Sequence, residues 1–297
     1  MDKEKILEAG KIAKQVREFI RPKIRAGQPL LEIAELIENK ISELNKNAKP
    51  AFPTNLSTNE IAAHYTPAYD DKTLAHGLLK VDFGVHIDGW ISDQAFSVDL
   101  ENSPENKKLI TASEKALEKA IEKINSGISV SEIGKSIQKE ISSLGFNPIV
   151  NLSGHEIKQH DLHAGLTIPN YENNSTEKIS SGLYAIEPFA TSSSSSGKVR
   201  DGQPSGIYNV QDSKPPRSPL AREILDYVLE EYYTLPFCSR WLVKKFGTKA
   251  LLVLKQLEQN GNLHQYSQLV EYSKSPVAQS EHTVFIDDKG EKIITTL

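Results

Sequence analysis

The chain has 297 residues, of which 38% are hydrophobic and 25% charged, the balance of an ordinary globular protein. Its 35 basic and 39 acidic side chains leave a formal charge of −4, so no overall basic field favours nucleic acid or an anionic membrane. The sequence has no apolar run long enough to span a bilayer, and its charged N-terminus, MDKEKILEAGK, lacks the apolar core of a signal peptide. We therefore expect a cytoplasmic protein. The single cysteine, Cys238, excludes an internal disulfide and a cysteine-based metal site.

Apolar residues recur at helical spacing in two pairs of segments, and each pair precedes strand-like sequence. The first pair covers residues 5–20 and 29–44, and the second covers 104–125 and 131–144. Residues 50–75 lack any helical period, and they predict loops and short strands.

Residues 78–100 predict a β-hairpin, because two apolar runs flank Asp88-Gly89, a dipeptide that favours a type I′ turn. That turn would pair residue 84 with 93 and residue 82 with 95, which makes Asp82 and Asp93 diagonal neighbours on one face. Two buried carboxylates so placed repel each other and lose their hydration, and a shared cation offsets both costs. The hairpin alone leaves open whether the pair binds a metal or faces solvent.

The rest of the chain predicts further strands separated by one helical region. The strands are expected near 148–158, 182–190 and 278–297. The helices are expected near 219–233, 237–246 and 248–260. Together these helices predict a helical, winged-helix-like insertion at 195–265 within a single domain of residues 1–297.

An internal repeat relates the two halves at an offset of 100 residues. The matched positions are Gly27 and Gly127, Glu32 and Glu132, Ile33 and Ile133, Ile37 and Ile137, and Ile41 and Ile141. Further along, Asn55-Leu56-Ser57 matches Asn151-Leu152-Ser153, and GLLKVD matches GLYAIE, which aligns Asp82 with Glu187. We expect an α+β fold of two pseudo-symmetric helix-helix-strand halves, with antiparallel strands bearing the ligands.

The repeat strengthens the metal hypothesis, because it places Glu187 at the position of Asp82, and Glu281 lies in another partly apolar strand, VAQSEHTVFI. Four converging carboxylates require roughly two divalent ions, which would generate a hydroxide nucleophile at neutral pH. His155 follows Gly154, which permits close approach, and it is a candidate nitrogen ligand. The segment HEIKQH spaces its histidines five apart, so it does not form the helical zinc-protease motif.

Five segments together resemble the type II methionine aminopeptidases of archaea, a family with the pita-bread fold around a dinuclear metal site. They are AFPTNLSTNEIAAHYTP (51–67), VDFGVHIDGWISDQAF (81–96), SGHEIKQHDLHAGLTIPN (153–170), AIEPFAT (185–191) and AQSEHTVFI (278–286). The resemblance covers nearly the whole chain, including the insertion that marks type II. It implies a metalloaminopeptidase that removes the N-terminal methionine from nascent proteins. In that family a metal-bound hydroxide attacks the first peptide bond, and a small second residue is preferred.

Carried over by position, the resemblance implies a set of metal ligands for two divalent ions, which are Co, Mn, Fe or Zn. The ligands are Asp82, Asp93, His155, Glu187 and Glu281, with Asp93 and Glu281 bridging both ions. Glu187 is also expected to shuttle the proton of the attacking water. His64 and His163 are expected to donate hydrogen bonds beside the reacting carbonyl, with His163 on the carbonyl oxygen. The expected methionine pocket consists of Phe52, Leu162 and Tyr266.

The expected partners are peptides with an N-terminal methionine and nascent polypeptides, with transient ribosome association, and the expected state is a monomer without membrane or specific nucleic-acid contacts. Two alternatives remain at this point: a prolidase of the same fold, and a binding module on that fold without catalysis. The segment AAHYTP and the insertion argue against the first, and the five intact ligands argue against the second. The lysines of 219–260 also allow a small nucleic-acid-binding unit, although interspersed glutamates favour a solvated helical face.

Overall fold

A computed structural model describes all residues from Met1 to Leu297. The helices are α1 (Lys3–Ile20), α2 (Leu30–Leu44), α3 (Pro104–Lys123), α4 (Val130–Ser143), α5 (Pro219–Tyr232), α6 (Ser239–Phe246) and α7 (Lys249–Gln259). A short 3₁₀ turn, Arg21–Lys23, follows α1. None of the helices combines the length and the apolar character that a membrane crossing needs.

Sixteen strands complete the fold. They are β1 (Ala48–Pro50), β2 (Asn55–Thr58), β3 (Ile61–Ala63), β4 (Leu78–Ile87), β5 (Trp90–Asp99), β6 (Phe146–Pro148), β7 (Ser153–Ile157), β8 (Thr167–Pro169), β9 (Gly182–Ile186), β10 (Phe189–Ser192), β11 (Val199–Val210), β12 (Phe237–Cys238), β13 (Leu263–Glu271), β14 (Val277–Gln279), β15 (Glu281–Ile286) and β16 (Lys292–Ile294).

The central sheet joins the two halves of the chain. Its strand order is β1-β4-β5-β15-β9-β7-β8, with β2 added beside β4 and β16 beside β15, and every pairing is antiparallel. Strands β4 and β5 come from the first half, whereas β7 and β9 come from the second. They meet through β15, so residues far apart in sequence converge on neighbouring strands.

The predicted hairpin is confirmed in both turn type and register. Asp88 and Gly89 have φ values of 49° and 81°, and a type I′ turn requires positive φ at both positions. Ile87 pairs with Trp90, and five rungs further back Asp82 pairs with Ala95. Because Asp93 pairs with the residue two positions beyond Asp82, the two aspartates are diagonal neighbours, as the sequence predicts.

The internal repeat is visible in the hydrogen bonds as well as in the sequence. The matched glycines Gly27 and Gly127 have φ values of 80° and 89°. Their backbone N–H groups donate to the carbonyls of Ala75 and Ile179, in both cases at 2.8 Å. Each half also buries its helices in its own core, α1 and α2 against β4 in one cluster, and α3 and α4 against β9 and β15 in the other. The expected two-halved α+β fold is confirmed.

The segment predicted as a helical insertion contains strands as well as helices. Its three helices are present as α5, α6 and α7, and they share a buried core with Phe237 and Leu263. The sequence pattern does not predict the long pair formed by β11 and β13. The sequence of β11, VRDGQPSGIYNV, is mostly exposed at its start, and its register shifts around Pro204, so it lacks the alternation on which strand prediction depends.

We predict that Gly134→Ala destabilises the fold, although alanine is favoured over glycine in helices by about 1 kcal/mol. Gly134 lies on the buried face of α4, where an added methyl group would collide with the backbone carbonyl of Tyr171. The expected loss is about 1–3 kcal/mol of unfolding free energy, measured by urea denaturation. Lys139→Ala, on the exposed face of the same helix, is the control and should change stability by less than about 0.5 kcal/mol. A more stable Gly134→Ala variant would contradict this packing of α4.

Candidate metal centre

All the site residues predicted from the sequence line one cavity of about 240 Å³. They are Phe52, His64, Asp82, Asp93, His155, Leu162, His163, Glu187, Tyr266 and Glu281. The strands of both halves and the insertion contribute to its wall.

The acidic residues converge because three neighbouring strands bring them to one place on the central sheet. Asp82 lies on β4, Asp93 on β5 and Glu281 at the start of β15. Ala95 of β5 is paired with Asp82 on one side and with Glu281 on the other, so these carboxylates flank a residue with a minimal side chain. Glu187 follows β9 directly, next to β15.

Two glycines provide the space that the cavity needs. The ring of Phe52 lies against Gly84, the residue paired with Asp93, where a larger residue would collide with that ring. Gly154 packs closely on the backbone carbonyl of Ala185, which brings the next residue, His155, onto the central sheet beside β9. The close approach expected at Gly154 is therefore observed.

The donor atoms fit a divalent metal. Ligand atoms of Asp93, His155 and Glu281 lie within 4.8 Å of one another. Nε2 of His155 is 3.8 Å from Oδ2 of Asp93 and 3.7 Å from Oε1 of Glu187. Several buried polar atoms here have no hydrogen-bond partner, namely Oδ1 of Asp82, Oδ1 of Asp93, Oε1 of Glu281 and Nδ1 of His155. Because unpaired buried oxygens are costly, and because carboxylate oxygens with an imidazole suit first-row divalent metals, the residues fit such an ion.

The crowding of these groups shifts their pKa values in the direction that a cation would reverse. Burial, its largest cause, raises the pKa of Asp82 to about 7. Burial and then the charge of Asp82 raise the pKa of Asp93 and of Glu187 well above the ordinary carboxyl range. Burial and then Asp93 do the same to the pKa of Glu281. Burial and then His163 lower the pKa of His155, which therefore remains a neutral imidazole suited to bind a metal.

His64 occupies an uncommon backbone conformation that places its ring in the cavity wall. Its φ is 65°, in the left-handed region, where a residue other than glycine persists only if its surroundings hold it. Nδ1 of His64 lies 3.2 Å from the carbonyl oxygen of Ser267, and that oxygen can only accept, so Nδ1 carries the proton. Burial and then the charge of His163 lower the pKa of His64 to about 4. The ring is therefore neutral, and its free Nε2 is an acceptor, not the donor expected from the sequence.

The remaining predicted residues form an aromatic and apolar wall next to the ligands. The ring of His163 stands edge-on to that of His155, with centroids 4.5 Å apart. The ring of Tyr266, on β13, stands edge-on to His64 at 5.5 Å. Phe52 and Leu162 belong to one hydrophobic cluster.

Sequence reasoning missed a buried glutamine that contacts two of the candidate ligands. Nε2 of Gln279 lies 3.4 Å from Oδ2 of Asp82 and 3.5 Å from Oε2 of Glu187. The available signal was a polar residue in the strand sequence VAQSEHT, two positions before Glu281. Asn55 and Asn151, which the repeat had aligned, also line the cavity, but the alignment alone suggested no role for them.

This fold and this cluster define a metal-dependent hydrolase of the pita-bread class. A sequence profile of metallopeptidase family M24 matches residues 4–286. The methionine aminopeptidase of Pyrococcus abyssi is 46% identical over 301 residues, which cover 100% of both chains.

Solved structures agree with this assignment of the fold. A thermophilic Arx1 matches with a TM-score of 0.82 at 18% identity, over 98% of this chain and 90% of its own. The methionine aminopeptidase of Thermotoga maritima matches with a TM-score of 0.69 at 23% identity, over 99% of this chain and 95% of its own. The chain belongs to metallopeptidase family M24, and it is an enzyme that uses a divalent metal.

We predict that the metal-free chain loses stability as the pH rises. The folded pKa values of the clustered carboxyls lie above their unfolded values, so their contribution is present when they are protonated and is lost as the pH passes through the folded values, which for Asp82 is about 7. In chelator, the melting temperature should therefore be lower at pH 8 than at pH 5.5. Added metal should restore it at pH 8.

Asp93→Asn tests the same cause by removing one charge from the cluster. In chelator at pH 8 the variant should melt at a higher temperature than the unaltered chain, because less repulsion remains, yet added metal should no longer raise its melting temperature. Asp70→Asn, at an exposed aspartate outside the cavity, is the matched control and should behave like the unaltered chain. A metal-free melting temperature that does not change with pH would contradict the crowding of these carboxyls.

Proposed function

We propose that this enzyme removes the N-terminal methionine from peptides and nascent proteins. The observation that carries the proposal is that one small cavity combines the acidic and histidine cluster with an apolar wall of Phe52, Leu162 and Tyr266. The cluster would bind the metal that hydrolysis of a peptide bond requires, and the wall would pack against an unbranched apolar side chain. The relatives that match the chain along its full length carry this activity in their name.

The metal ligands in this proposal are Asp82, Asp93, His155, Glu187 and Glu281, and they would hold two divalent ions, with Asp93 and Glu281 shared between them. Co, Mn, Fe and Zn all accept this donor set. When bound, such ions polarise a carbonyl and lower the pKa of water so that it reacts at neutral pH. Gln279 supports the set, because its amide lies within 3.5 Å of Asp82 and of Glu187.

Glu187 is the general base and acid of the proposed reaction. Its side chain is largely buried beside His155, and it lines the same cavity as the histidines that face the substrate. A carboxylate so placed takes the proton of the attacking water and returns it to the leaving amine. Burial strengthens this transfer, because little bulk water competes for the proton.

The two histidines outside the ligand set hold the scissile bond in opposite ways. His163 donates a hydrogen bond to the carbonyl oxygen, where negative charge develops. His64, whose Nδ1–H is used by Ser267, accepts a hydrogen bond from a substrate N–H through Nε2. A donor and an acceptor on either side of the bond orient the carbonyl and the amide group together.

The size of the cavity supports a preference for a small second residue. Its volume of about 240 Å³ lies below the range of roughly 300–1,000 Å³ that is usual for pockets of drug-sized ligands, so it holds little beyond the first residue. We further propose a cytoplasmic monomer that acts on nascent chains, with transient ribosome association. Residues 1–297 would form a single catalytic domain, with 195–265 as an insertion subdomain.

Peptide cleavage tests the proposal directly. The metal-free chain should release methionine from Met-Ala-Ser after addition of Mn, Co, Fe or Zn, and it should leave Met-Asp-Ser and Xaa-Pro peptides intact. Asp93→Ala should lose this activity. Cleavage of Xaa-Pro alone would instead make the chain a prolidase. Absence of all cleavage, together with absence of metal binding, would leave a binding module.

We predict that His64→Ala lowers kcat/KM roughly 10- to 1000-fold without weakening metal binding. The reason is that His64 contacts substrate in this proposal and is not a ligand. Steady-state kinetics and calorimetric metal titration separate the two effects. His264→Ala, at an exposed histidine beside Tyr266, is the matched control and should change neither quantity. Loss of metal binding in His64→Ala would contradict its assigned role.

A further inference from the structure

A buried ion pair joins the insertion to the first half of the fold. Arg240, on α6, is 5% exposed, and its guanidinium makes two parallel bonds to the carboxylate of Glu38 on α2. The distances are 2.7 Å from Nη1 to Oε2 and 2.8 Å from Nη2 to Oε1. Burial lowers the pKa of Arg240, but the hydrogen bonds to Glu38 and the charges of neighbouring groups together hold that pKa above its ordinary value. The guanidinium therefore stays charged.

Both members of the pair also bond to the segment 54–67, which carries His64. Nε of Arg240 donates to the carbonyl of Pro67 at 3.0 Å, and the backbone N–H of Thr54 donates to Oε1 of Glu38 at 3.3 Å. The hydroxyl of Thr66 donates to the carbonyl of Thr54 at 2.8 Å. The ion pair thus fixes the two ends of one segment whose middle lines the cavity.

Strand β13, which leads out of the insertion, also holds His64 from a second direction. Strand β3, which ends directly before His64, pairs with β13, so that Ala63 lies opposite Leu269. The carbonyl of Ser267 on the same strand takes the Nδ1 proton of His64. Contacts therefore hold His64 from three directions. Strand β3 pairs with β13 before it, the carbonyl of Ser267 binds its ring, and Arg240 binds Pro67 after it.

Stability alone does not account for this pair. A buried ion pair is weak evidence for stability, because desolvation offsets its attraction, and apolar residues of similar volume often do as well. The insertion has a hydrophobic core of its own, which includes Leu225 and Leu254 but neither Arg240 nor Glu38. The two parallel bonds of Arg240 fix the orientation of α6 relative to α2 as well as the distance between them.

We propose that Arg240 and Glu38 are positioning residues that fix the segment 54–67, so that His64 keeps its place and its tautomer in the cavity. Catalysis then depends on the docking of the insertion onto α2. This inference rests on the proposed function, in which His64 contacts the substrate. It adds two residues that do not line the cavity.

The experiment compares Arg240→Ala, Glu38→Ala and the double variant, each as the full chain loaded with metal. Each single variant should lose roughly 10- to 100-fold in kcat/KM on Met-Ala-Ser, mostly in kcat, the cost of misplacing a group near the reacting bond. The double variant should lose no more activity than the less active of the two single variants, because both changes break the same connection. Arg240→Lys keeps the charge without the fork and should fall between the unaltered chain and Arg240→Ala.

A second readout does not depend on activity. NMR titration of labelled histidine should show the pKa of His64 moving from about 4 towards its ordinary value in Arg240→Ala, because the ring is then free to reach water. The charges that act on this ring are those of His163 and Asp201, and the ring of Tyr266 contacts it; none of these residues is altered. Leu254→Ala is the matched control, since it weakens the core of the insertion without touching the pair. It should lower the melting temperature but leave kcat/KM within about twofold and the titration of His64 unchanged.

The outcomes separate this inference from the proposed function. If the unaltered chain releases no methionine, the proposed function fails, and the titration of His64 still decides whether the pair positions the ring. If Arg240→Ala only lowers the melting temperature, with kcat/KM and the titration unchanged, the pair is structural and the inference is wrong. Should Arg240→Ala not fold, Arg240→Lys and Trp241→Phe give the same test. Trp241→Phe removes one donor to Glu38, at 2.8 Å, and keeps the bond to Pro67.

Discussion

Mutual repulsion of buried carboxylates at the junction of the two halves is the constraint that orders this structure. Asp82, Asp93, Glu187 and Glu281 are enclosed together, and burial drives their pKa values upward. Without a cation, such a cluster opposes folding at neutral pH. A metal would relieve this repulsion, and three features present the carboxylate oxygens to one. They are the antiparallel sheet, the small side chain of Ala95 and the adjoining imidazole of His155.

The repeat and the insertion make different contributions to the site. The repeat provides a scaffold in which each half ends in acidic strands, and Gln279 contacts one acid from each half. The insertion, in contrast, has no counterpart in the first half. Its strand β11, and strand β13 that leads out of it, add Ile207, Tyr266 and Leu269 to the wall of the cavity. The candidate ligands are thus located on or beside the central sheet, while the shape of the pocket depends in part on the added segment.

Features that depend on local sequence patterns could be predicted, whereas features that depend on contacts between distant segments could not. The hairpin register follows from one dipeptide, Asp88-Gly89, and the helices follow from their apolar spacing. Among the candidate ligands, Asp82 and Asp93 follow from the hairpin and Glu187 from the repeat, whereas the complete set follows from the family resemblance. In contrast, β11 was missed because its exposed, proline-interrupted sequence has no period. The tautomer of His64 depends on a carbonyl 203 residues away, and no pattern within one segment encodes such a contact.

Despite the repeat, the two halves contribute different ligands to the candidate metal centre. The first half offers two carboxylates, Asp82 and Asp93, and the second offers Glu187 and Glu281, so the charge is nearly even across the pseudo-twofold axis. The nitrogen ligand is not evenly distributed, because His155 comes from the second half. In the first half, the alignment that matches Asn55 with Asn151 places Asn59 at the position equivalent to His155. An arriving peptide therefore meets two chemically different faces.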